Sequence, residues 1–439
     1  MDRLKRKAVL FFWILFVVSV SSYAQQPDSL LLDSLRVEGK VLVKTLSSDL
    51  FWGRGYVNRG DSIAADYILS EFDSARLDTV YAHTYTHNVN VFPDTVELAI
   101  NGQPLRAGVS FLVEPWSPSI KGDFEVQYIS IQDFLDDSVW GGKIRDAKDK
   151  AIVIDKKEME GLDPEEIKKL KDIFDYLRFH EDNPAKLTIF LTDEKLTWSV
   201  SQKVMGKPTI VLKTNLTGDK LKKVSVHINA ELIQNYEARN IVSQFNSAKS
   251  DSLIVFTAHY DHLGMMGLDA FFPGANDNAS GTSMLISMAR RLGMISRDSL
   301  DYSVAFIAFG GEELGLVGSK NFVKDSVLDI GKIKLLVNLD IVGTGSEGIT
   351  IVNANKNTEV VNLITELNDQ YGYFDSIQMR GEACNSDHCI FNKKGVPSIY
   401  IYTRGGVKAY HDVDDKAETL TLDKYSELVL MLMQLIEMP

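Results

Sequence analysis

Positive charge is scarce in this chain. Its 439 residues include 47 Lys and Arg against 60 Asp and Glu, which gives a formal net charge of −13 at pH 7. Because a nucleic-acid surface needs a basic face, we expect no nucleic acid among its partners. Hydrophobic residues make up 45% of the chain, which is enough for a sizeable core, and the length exceeds that of most single domains.

Long hydrophobic runs are also missing, except at the N-terminus. Four basic residues within positions 3–7 precede an apolar run over 8–20, and Ser22 and Ala24 are small residues at the positions that a signal peptidase reads. We therefore expect a signal peptide over 1–24 and an exported protein, periplasmic or secreted, without stable membrane insertion after cleavage. An uncleaved membrane anchor is the alternative, but the apolar run is short for a membrane span.

Cysteine is nearly absent. Cys384 and Cys389 are the only two, and they enclose the sequence NSDH. An exported compartment permits a disulfide between them, which would close a small ring and stiffen the loop. Two free thiols or a metal site are the alternatives, although two cysteines and one histidine are too few for a structural zinc site. For Asp387 and His388 in this loop we expect a structural or supporting role.

After about residue 240 the sequence alternates between two patterns. Short and almost wholly apolar runs are typical of strands buried on both faces, as in LIVFTAH, SVAFIAF, LLVNLD, ITIVN and SIYIY. Helical patterns separate them, in SGTSMLISMARRLG, NTEVVNLITELNDQYG and LDKYSELVLMLMQLIEM. This alternation predicts an α/β fold in which helices cover both faces of a β-sheet.

From about residue 92 to residue 226 the pattern is different. Short β-type runs dominate this part, as in VELAI, FEVQYIS and KAIVIDK, and one helix interrupts them. For that helix Asp163 is the expected N-cap, Pro164 the first residue, and Glu166 the second member of a capping box.

Residues of the metal-ligand type occur in order along the C-terminal half of the chain. They are His259, Asp277, Glu313, Asp340 and His411. Two imidazoles and three carboxylates are the right number and type to hold two zinc ions, with one carboxylate bridging them. His259 and Asp340 end predicted strands, and Glu313 follows a third one. Since sites in open α/β sheets form outside the carboxyl ends of the strands, the sequence predicts a metal-dependent hydrolase with its site at this edge.

The residues next to the expected ligands indicate which side chains bind metal, which support a ligand and which transfer a proton. Asp261 lies two residues after His259, on the same side of an extended chain, where its carboxylate can accept the second ring N–H of the histidine. Asp277 can bridge two cations, or it can cap the helix that follows it. Of the adjacent Glu312 and Glu313, one can bind metal while the other takes a proton from a metal-bound water and passes it to a leaving amine.

Six segments together carry a family resemblance: AHYDHLG, GANDNASG, GGEELGLVGS, NLDIVG, NSDHCIF and YHDVDD. In order, context and residue type they resemble the zinc-dependent exopeptidase family of bacterial leucyl aminopeptidase and glutamate carboxypeptidase, over about residues 235–439. GRGYVNRGDSIAADYILSEF resembles the N-terminal helix region of that family. The segment 93–225 is similar to its protease-associated insert, with GGKIRDAKDKAIVIDK as the best fragment.

The resemblance implies a phosphorylase/hydrolase-like zinc-peptidase fold. This fold is α/β, with a mixed β-sheet sandwiched by helices and a smaller, mainly-β inserted domain. The catalytic domain would cover 25–92 and 226–439. The insert would cover 93–225. Its role would be one of three: to gate the substrate, to dimerise, or to cover the site.

The resemblance also implies two zinc ions per chain and their ligands. Asp277 would bridge both ions. His259 and Asp340 would complete one site, and Glu313 and His411 would complete the other. Cobalt or manganese are alternative metals in vitro, since geometry and availability decide which ion is bound.

By the same resemblance, Glu312 is the general base for a zinc-bound hydroxide that attacks a peptide carbonyl, and Asp261 orients His259. We expect an aminopeptidase with peptide substrates. The alternatives are a carboxypeptidase or dipeptidase with the same ligands, a glutaminyl cyclase with one zinc, and a binding module without catalysis. Lys416, where the family often has Thr, departs from the pattern and bears on substrate preference.

Overall fold

A computed structural model describes residues 28–437 of the chain. The expected signal peptide at 1–24 lies outside the described residues. Within 28–437, no helix combines the length and the apolar character that a membrane crossing requires.

Eight strands form a mixed central sheet. In sheet order they are β1 (Thr79–Val91), β10 (Glu231–Phe245), β14 (Ser303–Phe309), β11 (Leu253–His259), β15 (Ile333–Leu339), β18 (Ser398–Thr403), β16 (Ile349–Val352) and β17 (Ile377–Met379). Four adjacent strands run parallel, namely β14, β11, β15 and β18. In contrast, β10 pairs antiparallel with β1 and β14, and β16 pairs antiparallel with β18. Every residue of β11 and β14 is buried, which explains their continuous apolar sequences.

Helices cover both faces of the central sheet. One face packs against α1 (Ser29–Leu46), α2 (Gly60–Ser74), α6 (Ser280–Leu292), α8 (Thr358–Tyr371) and α10 (Tyr425–Glu437). The other face packs against α7 (Val317–Lys324) and α9 (His388–Asn392). The predicted α/β fold, a mixed sheet between helices, is thus confirmed.

A second sheet of eight strands lies between β1 and β10 in the chain. In sheet order its strands are β3 (Gln103–Leu105), β2 (Val96–Ile100), β9 (Lys223–Ile228), β5 (Ile120–Tyr128), β6 (Ala151–Asp155), β7 (Leu187–Thr192), β8 (Thr209–Lys213) and β4 (Phe111–Val113). Three helices pack against it, namely α3 (Ile131–Leu135), α4 (Trp140–Asp146) and α5 (Pro164–Phe179). The domain boundaries expected from the sequence stay a prediction, and β9 continues past position 225.

The predicted helix of this second sheet is α5. Asp163 accepts hydrogen bonds from the backbone N–H groups of Glu165 and Glu166, and Glu166 completes the capping box. The sequence does not reveal α3 and α4, because helices of five and seven residues are too short for a clear periodic pattern.

A short hairpin of the central domain joins the cores of the two sheets. Its strands are β12 (Gly264–Met266) and β13 (Ala270–Phe272). Met266 and Phe272 are buried in the same hydrophobic cluster as the second sheet. The ring of Phe272 also stacks on Trp198, with the centroids 4.8 Å apart. The loop that leads from β11 towards Asp277 is therefore packed against both sheets.

The guanidinium of Arg54 is fully buried and ties this loop to the end of α1. All five of its N–H groups are used, because five backbone carbonyls lie 2.6 to 3.3 Å from its nitrogens. The carbonyls belong to Leu46, Tyr260, Pro273, Gly274 and Asp277. Burial lowers the pKa of Arg54 to about 10, although the nearby carboxylates of Asp415 and Asp277 raise it.

Arg54→Lys tests the importance of this network. Lysine keeps the charge but offers three donors around one nitrogen, so several buried carbonyls lose their partners, at a cost of about 1–3 kcal/mol for each unpaired group. We expect the free energy of unfolding, measured in urea, to fall by roughly 3–5 kcal/mol. Arg59→Lys is the matched control at an exposed position, with an expected change of about 0.5 kcal/mol or less. Equal losses in both variants would contradict a special role for Arg54.

A buried carboxyl group lies in the first turn of α2. Asp61 is 2% exposed and accepts a hydrogen bond from the hydroxyl of Tyr236. Burial raises the pKa of Asp61 to about 7, against the lowering effect of Tyr236. Since the ordinary value is 3.8, the folded chain holds a proton between these two pH values that the unfolded chain has released. Asp61 therefore favours folding less and less as the pH rises through this window.

Asp61→Asn removes this titration and keeps an acceptor for Tyr236. We expect the variant to gain stability relative to the parent protein as the pH rises from 5 to 8, by roughly 2–4 kcal/mol. The measurement is the urea midpoint of both proteins at each pH. Asp73→Asn, at an exposed carboxylate of the same helix, is the control. A stability difference that stays constant with pH would refute the assignment.

Candidate metal centre

Three neighbouring parallel strands deliver three of the five predicted ligands to one edge of the central sheet. His259 is the last residue of β11, Asp340 follows β15, and Glu313 follows β14 after two glycines. Gly311 adopts φ 69°, a conformation that favours glycine and turns the chain sharply after the strand. Because the carboxyl ends of β14, β11 and β15 are adjacent, these side chains meet there.

Asp277 lies between two histidines. Its Oδ1 is 3.3 Å from Nε2 of His259, and its Oδ2 is 3.2 Å from Nε2 of His411. Nε2 of His259 is also 3.3 Å from Oδ1 of Asp340, and Nε2 of His411 is 3.1 Å from Oε2 of Glu313. The structure thus brings all five predicted ligands together, in two groups that share Asp277. We call the group with His259 and Asp340 the first group and the group with Glu313 and His411 the second group.

The turn that carries Asp277 is held from below by Asp415. The Asp415 carboxylate accepts hydrogen bonds from the backbone N–H groups of Asn276 and Asp277, at 2.9 and 3.0 Å. Burial raises the pKa of Asp415 to about 6, while these two hydrogen bonds lower it. The second group is therefore supported by the same loop, 411–415, that supplies His411.

The second group has a further histidine that the sequence analysis did not single out. Nδ1 of His262 donates a hydrogen bond to Oε1 of Glu313 at 2.8 Å, and the ring is fully buried. One ligand-type atom each of His262, Asp277 and Glu313 lie within 4.8 Å of one another, as do those of His259, Asp277 and Asp340. Its position three residues after His259, in HYDH, is the signal that could have drawn attention to it.

Asp261 supports the tandem glutamates rather than the imidazole alone. Its two carboxylate oxygens accept hydrogen bonds from the backbone N–H groups of Glu312 and Glu313, at 3.0 and 3.3 Å. The same carboxylate lies 3.8 Å from Nδ1 of His259, while the backbone carbonyl of Asp261 is at 3.2 Å. The backbone carbonyl of Asp261, rather than its carboxylate, is therefore the closer partner of the His259 ring. It accepts the Nδ1–H, which leaves Nε2 of His259 free to bind a metal.

The cysteine loop supports the first group. Cys384 and Cys389 form a disulfide with their Cα atoms 4.9 Å apart. Between them, the hydroxyl of Ser386 donates to Oδ2 of Asp340 at 2.8 Å and accepts from the side-chain amide of Asn338 at 2.8 Å. Ser386 has no sequence signal of its own, because its role depends on where the ring places it.

Asp387 and His388, from the same ring, are both fully buried. Burial raises the pKa of Asp387 to about 7 and lowers the pKa of His388 to about 4. Nε2 of His388 donates to the carbonyl of Ala383 at 3.0 Å. These contacts fit the structural or supporting role that the sequence analysis expects.

The two adjacent glutamates differ strongly in acidity. Burial raises the pKa of Glu312 well above its usual range, and so do nearby carboxylates, Glu313 first among them, while His259 lowers it. For Glu313, burial acts in the same direction, but His411 lowers its pKa to about 2. Glu313 therefore has the character of a permanent anionic ligand, whereas Glu312 has that of a group that accepts and releases a proton.

The chemistry of these residues fits divalent metal ions. His259, Asp277 and Asp340 are 1%, 4% and 6% exposed. Clustered carboxylates that are removed from water need cations to offset their charge. Imidazole nitrogens combined with carboxylate oxygens suit a metal such as zinc.

Comparison with known proteins identifies relatives of the C-terminal part. Residues 240–436 match the family model described as Peptidase family M28, and the resemblance predicted from the sequence is thus confirmed. Aminopeptidase YwaD of Bacillus subtilis is 29% identical over 244 residues, which are 53% of this chain and 51% of that protein. A probable leucine aminopeptidase of Trichophyton verrucosum is 29% identical over 187 residues, 41% of this chain and 52% of that protein. This chain spans about half the length of these curated relatives.

Solved structures agree with the fold over a longer stretch. BSAP, a zinc aminopeptidase from Bacillus subtilis, has a TM-score of 0.67 at 20% identity, covering 91% of this chain and 94% of that one. A peptidase M28 precursor from Shewanella amazonensis has a TM-score of 0.69 at 16% identity, covering 92% and 94%. At these identities the likeness establishes the fold.

Asp277→Asn tests whether one carboxylate serves both groups. The amide keeps the size of the side chain but loses the charge that faces both His259 and His411. We expect the affinity for zinc to fall at least about tenfold in both groups, measured by titrating zinc into metal-free protein. Asp269→Asn, at an exposed position of the β12–β13 hairpin, is the control. Weakening of one group alone, or none, would exclude the bridging position.

Proposed function

We propose that this chain is an exported two-zinc metallopeptidase that removes N-terminal residues from peptides. The single observation that carries the proposal is the pair of ligand groups sharing Asp277, next to a glutamate with a raised pKa. The match of residues 240–436 to Peptidase family M28 supports the same reaction class. Both sequence relatives above are named aminopeptidases, which favours the N-terminal end of the substrate.

The ligands would hold the two ions as follows. His259 and Asp340 would hold one ion, Glu313 and His411 would hold the other, and Asp277 would bridge them, with His262 supporting Glu313. When bound, the zinc ions lower the pKa of water and polarise the peptide carbonyl.

Glu312 would move the proton in this reaction. Its carboxylate takes a proton from the attacking water and gives it to the nitrogen of the leaving amine, so that the C–N bond breaks without expelling an unprotonated amide anion. Burial and the neighbouring carboxylates raise the pKa of Glu312, which favours holding the proton until the amine leaves. Asp261 would hold Glu312 in place through the backbone N–H bond at 3.0 Å.

Export rests on the N-terminal sequence, with cleavage after Ala24. Export is tested by measuring the intact mass of the protein recovered outside the cytoplasm, which should match a chain whose first residue is Gln25. A mass that begins at Met1 would instead indicate a retained anchor.

A carboxypeptidase or dipeptidase is the second candidate, and one cleft favours it. A cleft of about 690 Å³ lies against the loop that follows His411 and is lined by both cations and carboxylates. Lys195 and Lys416 pair there with Asp412 and Asp414, and Arg106 and Lys213 line the same cleft. Such cations can bind the C-terminal carboxylate of a short peptide. Comparing substrates that have free and amidated C-termini distinguishes the two candidates.

The activity test uses the purified protein and a panel of aminoacyl-naphthylamides, N-blocked peptides and peptides with a free C-terminus, together with zinc analysis. Two zinc ions and cleavage of free-amine substrates alone would support the aminopeptidase. Cyclisation of N-terminal glutamine with one zinc would indicate a glutaminyl cyclase instead.

Glu312→Gln separates catalysis from binding. The amide cannot accept the proton, so we expect kcat to fall by about 10²- to 10⁴-fold while the zinc content stays the same. Glu347→Gln, at an exposed position in the loop after Asp340, is the control and should keep full activity. If Glu312→Gln is as active as the parent, Glu312 does not carry the proton. A binding module without catalysis would show no turnover in either protein, so the substitution would not change the measured rate.

A further inference from the structure

One segment of the second sheet's domain reaches across to the second metal group. We call residues 195–202 the strap; it runs between β7 and β8 and belongs to the predicted insert. The role of that insert does not follow from the sequence. The strap contacts both loops that carry the second group, the loop of His411 and the turn of Glu313.

The first contact is a reciprocal pair of hydrogen bonds between Trp198 and His411. The backbone N–H of Trp198 donates to the carbonyl of His411 at 2.9 Å. In return, Nδ1–H of His411 donates to the carbonyl of Trp198 at 2.9 Å. A carbonyl only accepts, so a proton stays on Nδ1, and Nε2 is the ring nitrogen directed at Asp277 and Glu313, where it would bind a metal ion.

This pair fixes a residue in an unusual conformation. His411 has φ 53°, which is uncommon for a residue that is not glycine and persists where the surroundings determine it. Trp198 is itself held firmly, because its ring N–H donates to the carbonyl of Val113 at 2.7 Å and its ring stacks on Phe272. The second sheet thus provides a rigid anchor for the imidazole.

Lys195 adds three contacts to the same loop. Its Nζ donates to the carbonyls of Lys408 and Tyr410, at 2.8 and 3.2 Å, and lies 2.6 Å from the carboxylate of Asp412. These partners flank His411 on both sides. The side chain of Asp412 is 12% exposed and that of Lys195 is 44% exposed, so water screens this ion pair in part.

The other end of the strap holds the glutamate turn. The side-chain amide of Gln202 donates to the carbonyl of Leu314 at 2.9 Å, directly after Glu313 in the chain. Val200 packs against the hydrophobic cluster that contains Leu314 and also against the core of the second sheet. One short segment therefore contacts the loop of His411 and also the residue that follows Glu313.

The first group has different supports. His259 is held by the carbonyl of Asp261, and Asp340 by Ser386 of the disulfide ring. All four residues belong to the central domain. Apart from the shared Asp277, and from the Asp261 carboxylate that also accepts from the N–H of Glu313, the two groups have different supports.

We propose that the strap is a positioning element for the second metal group, so that the binding of one of the two ions depends on the insert. The proposal rests on the two-metal function proposed above. Lys195, Trp198 and Gln202 touch no metal or substrate in this role; they act through His411 and Glu313.

The test is a zinc titration of metal-free protein with two affinities resolved. In Lys195→Met/Gln202→Met the strap loses its side-chain bonds to both loops, and we expect one site to weaken about tenfold or more while the other keeps its affinity. The single variant Lys195→Arg keeps Gln202, and its arginine keeps the charge and the N–H donors at position 195. It should therefore keep most of the zinc affinity that the double variant loses. Lys213→Met is the control, because it removes another lysine of the same cleft from β8.

The outcomes separate this proposal from the function on which it rests. Two sites in the parent protein with unchanged affinities in the double variant would overturn the strap proposal alone. Equal weakening of both sites would also overturn it, because it would indicate a general loss of structure. A parent protein with fewer than two zinc sites would overturn the two-metal function, and the strap proposal with it. If the double variant does not fold, the single variants Lys195→Met and Gln202→Met give the same comparison.

Discussion

The rest of the site depends on keeping the carboxylate of Asp277 ionised where water is excluded. Asp277 is 4% exposed, and burial alone would raise its pKa. The imidazoles of His259 and His411, one beside each oxygen, lower that pKa well below its usual value. Isolated charges in a protein interior are expensive, so a buried carboxylate of this kind persists only with cationic or hydrogen-bonding partners on every side.

The scaffold around Asp277 holds the backbone of the turn that carries it. Arg54 accepts no hydrogen bond and instead donates all five of its own to carbonyls of the surrounding loops, one of them that of Asp277. From the other side, Asp415 accepts the N–H groups of Asn276 and Asp277. The turn is thus held by one buried cation and one buried anion, which fix its backbone and leave the side chain of Asp277 free to face the two histidines.

The two groups of candidate ligands share Asp277 but are built in different ways. The first group lies directly at the ends of β11 and β15, with Ser386 and the carbonyl of Asp261 as its supports. The second group is assembled from two loops, and Trp198 lies against one of them. A parallel sheet can place residues that end its strands with high precision, but loops need additional contacts. This difference gives the second domain a structural reason to be in contact with the central one.

Much of the molecule follows from local sequence patterns. The buried strands β11, β14 and β15 are continuous apolar runs, and α5 begins with its capping box at Asp163. His259, Glu313 and Asp340 follow strands, so their convergence is a consequence of parallel packing that a sequence can reveal. The family resemblance was also available from these motifs, because each is a contiguous stretch of the chain.

Only the tertiary structure decides which groups support the ligands. Arg54 donates to backbone carbonyls, and Trp198 contacts His411 through its own backbone N–H and carbonyl. Nearly every residue has these backbone groups, so no residue pattern marks such a contact. Ser386 reaches Asp340 because of the fold of its loop, and His262 reaches Glu313 across two different strand ends. The sequence by itself determined the strands, the order of the ligands and the chemistry they share. The positions of the candidate ligands relative to one another depend on contacts between residues that are far apart in the chain. His411 and Trp198, for example, are 213 positions apart. Such contacts form only when both sheets are packed together.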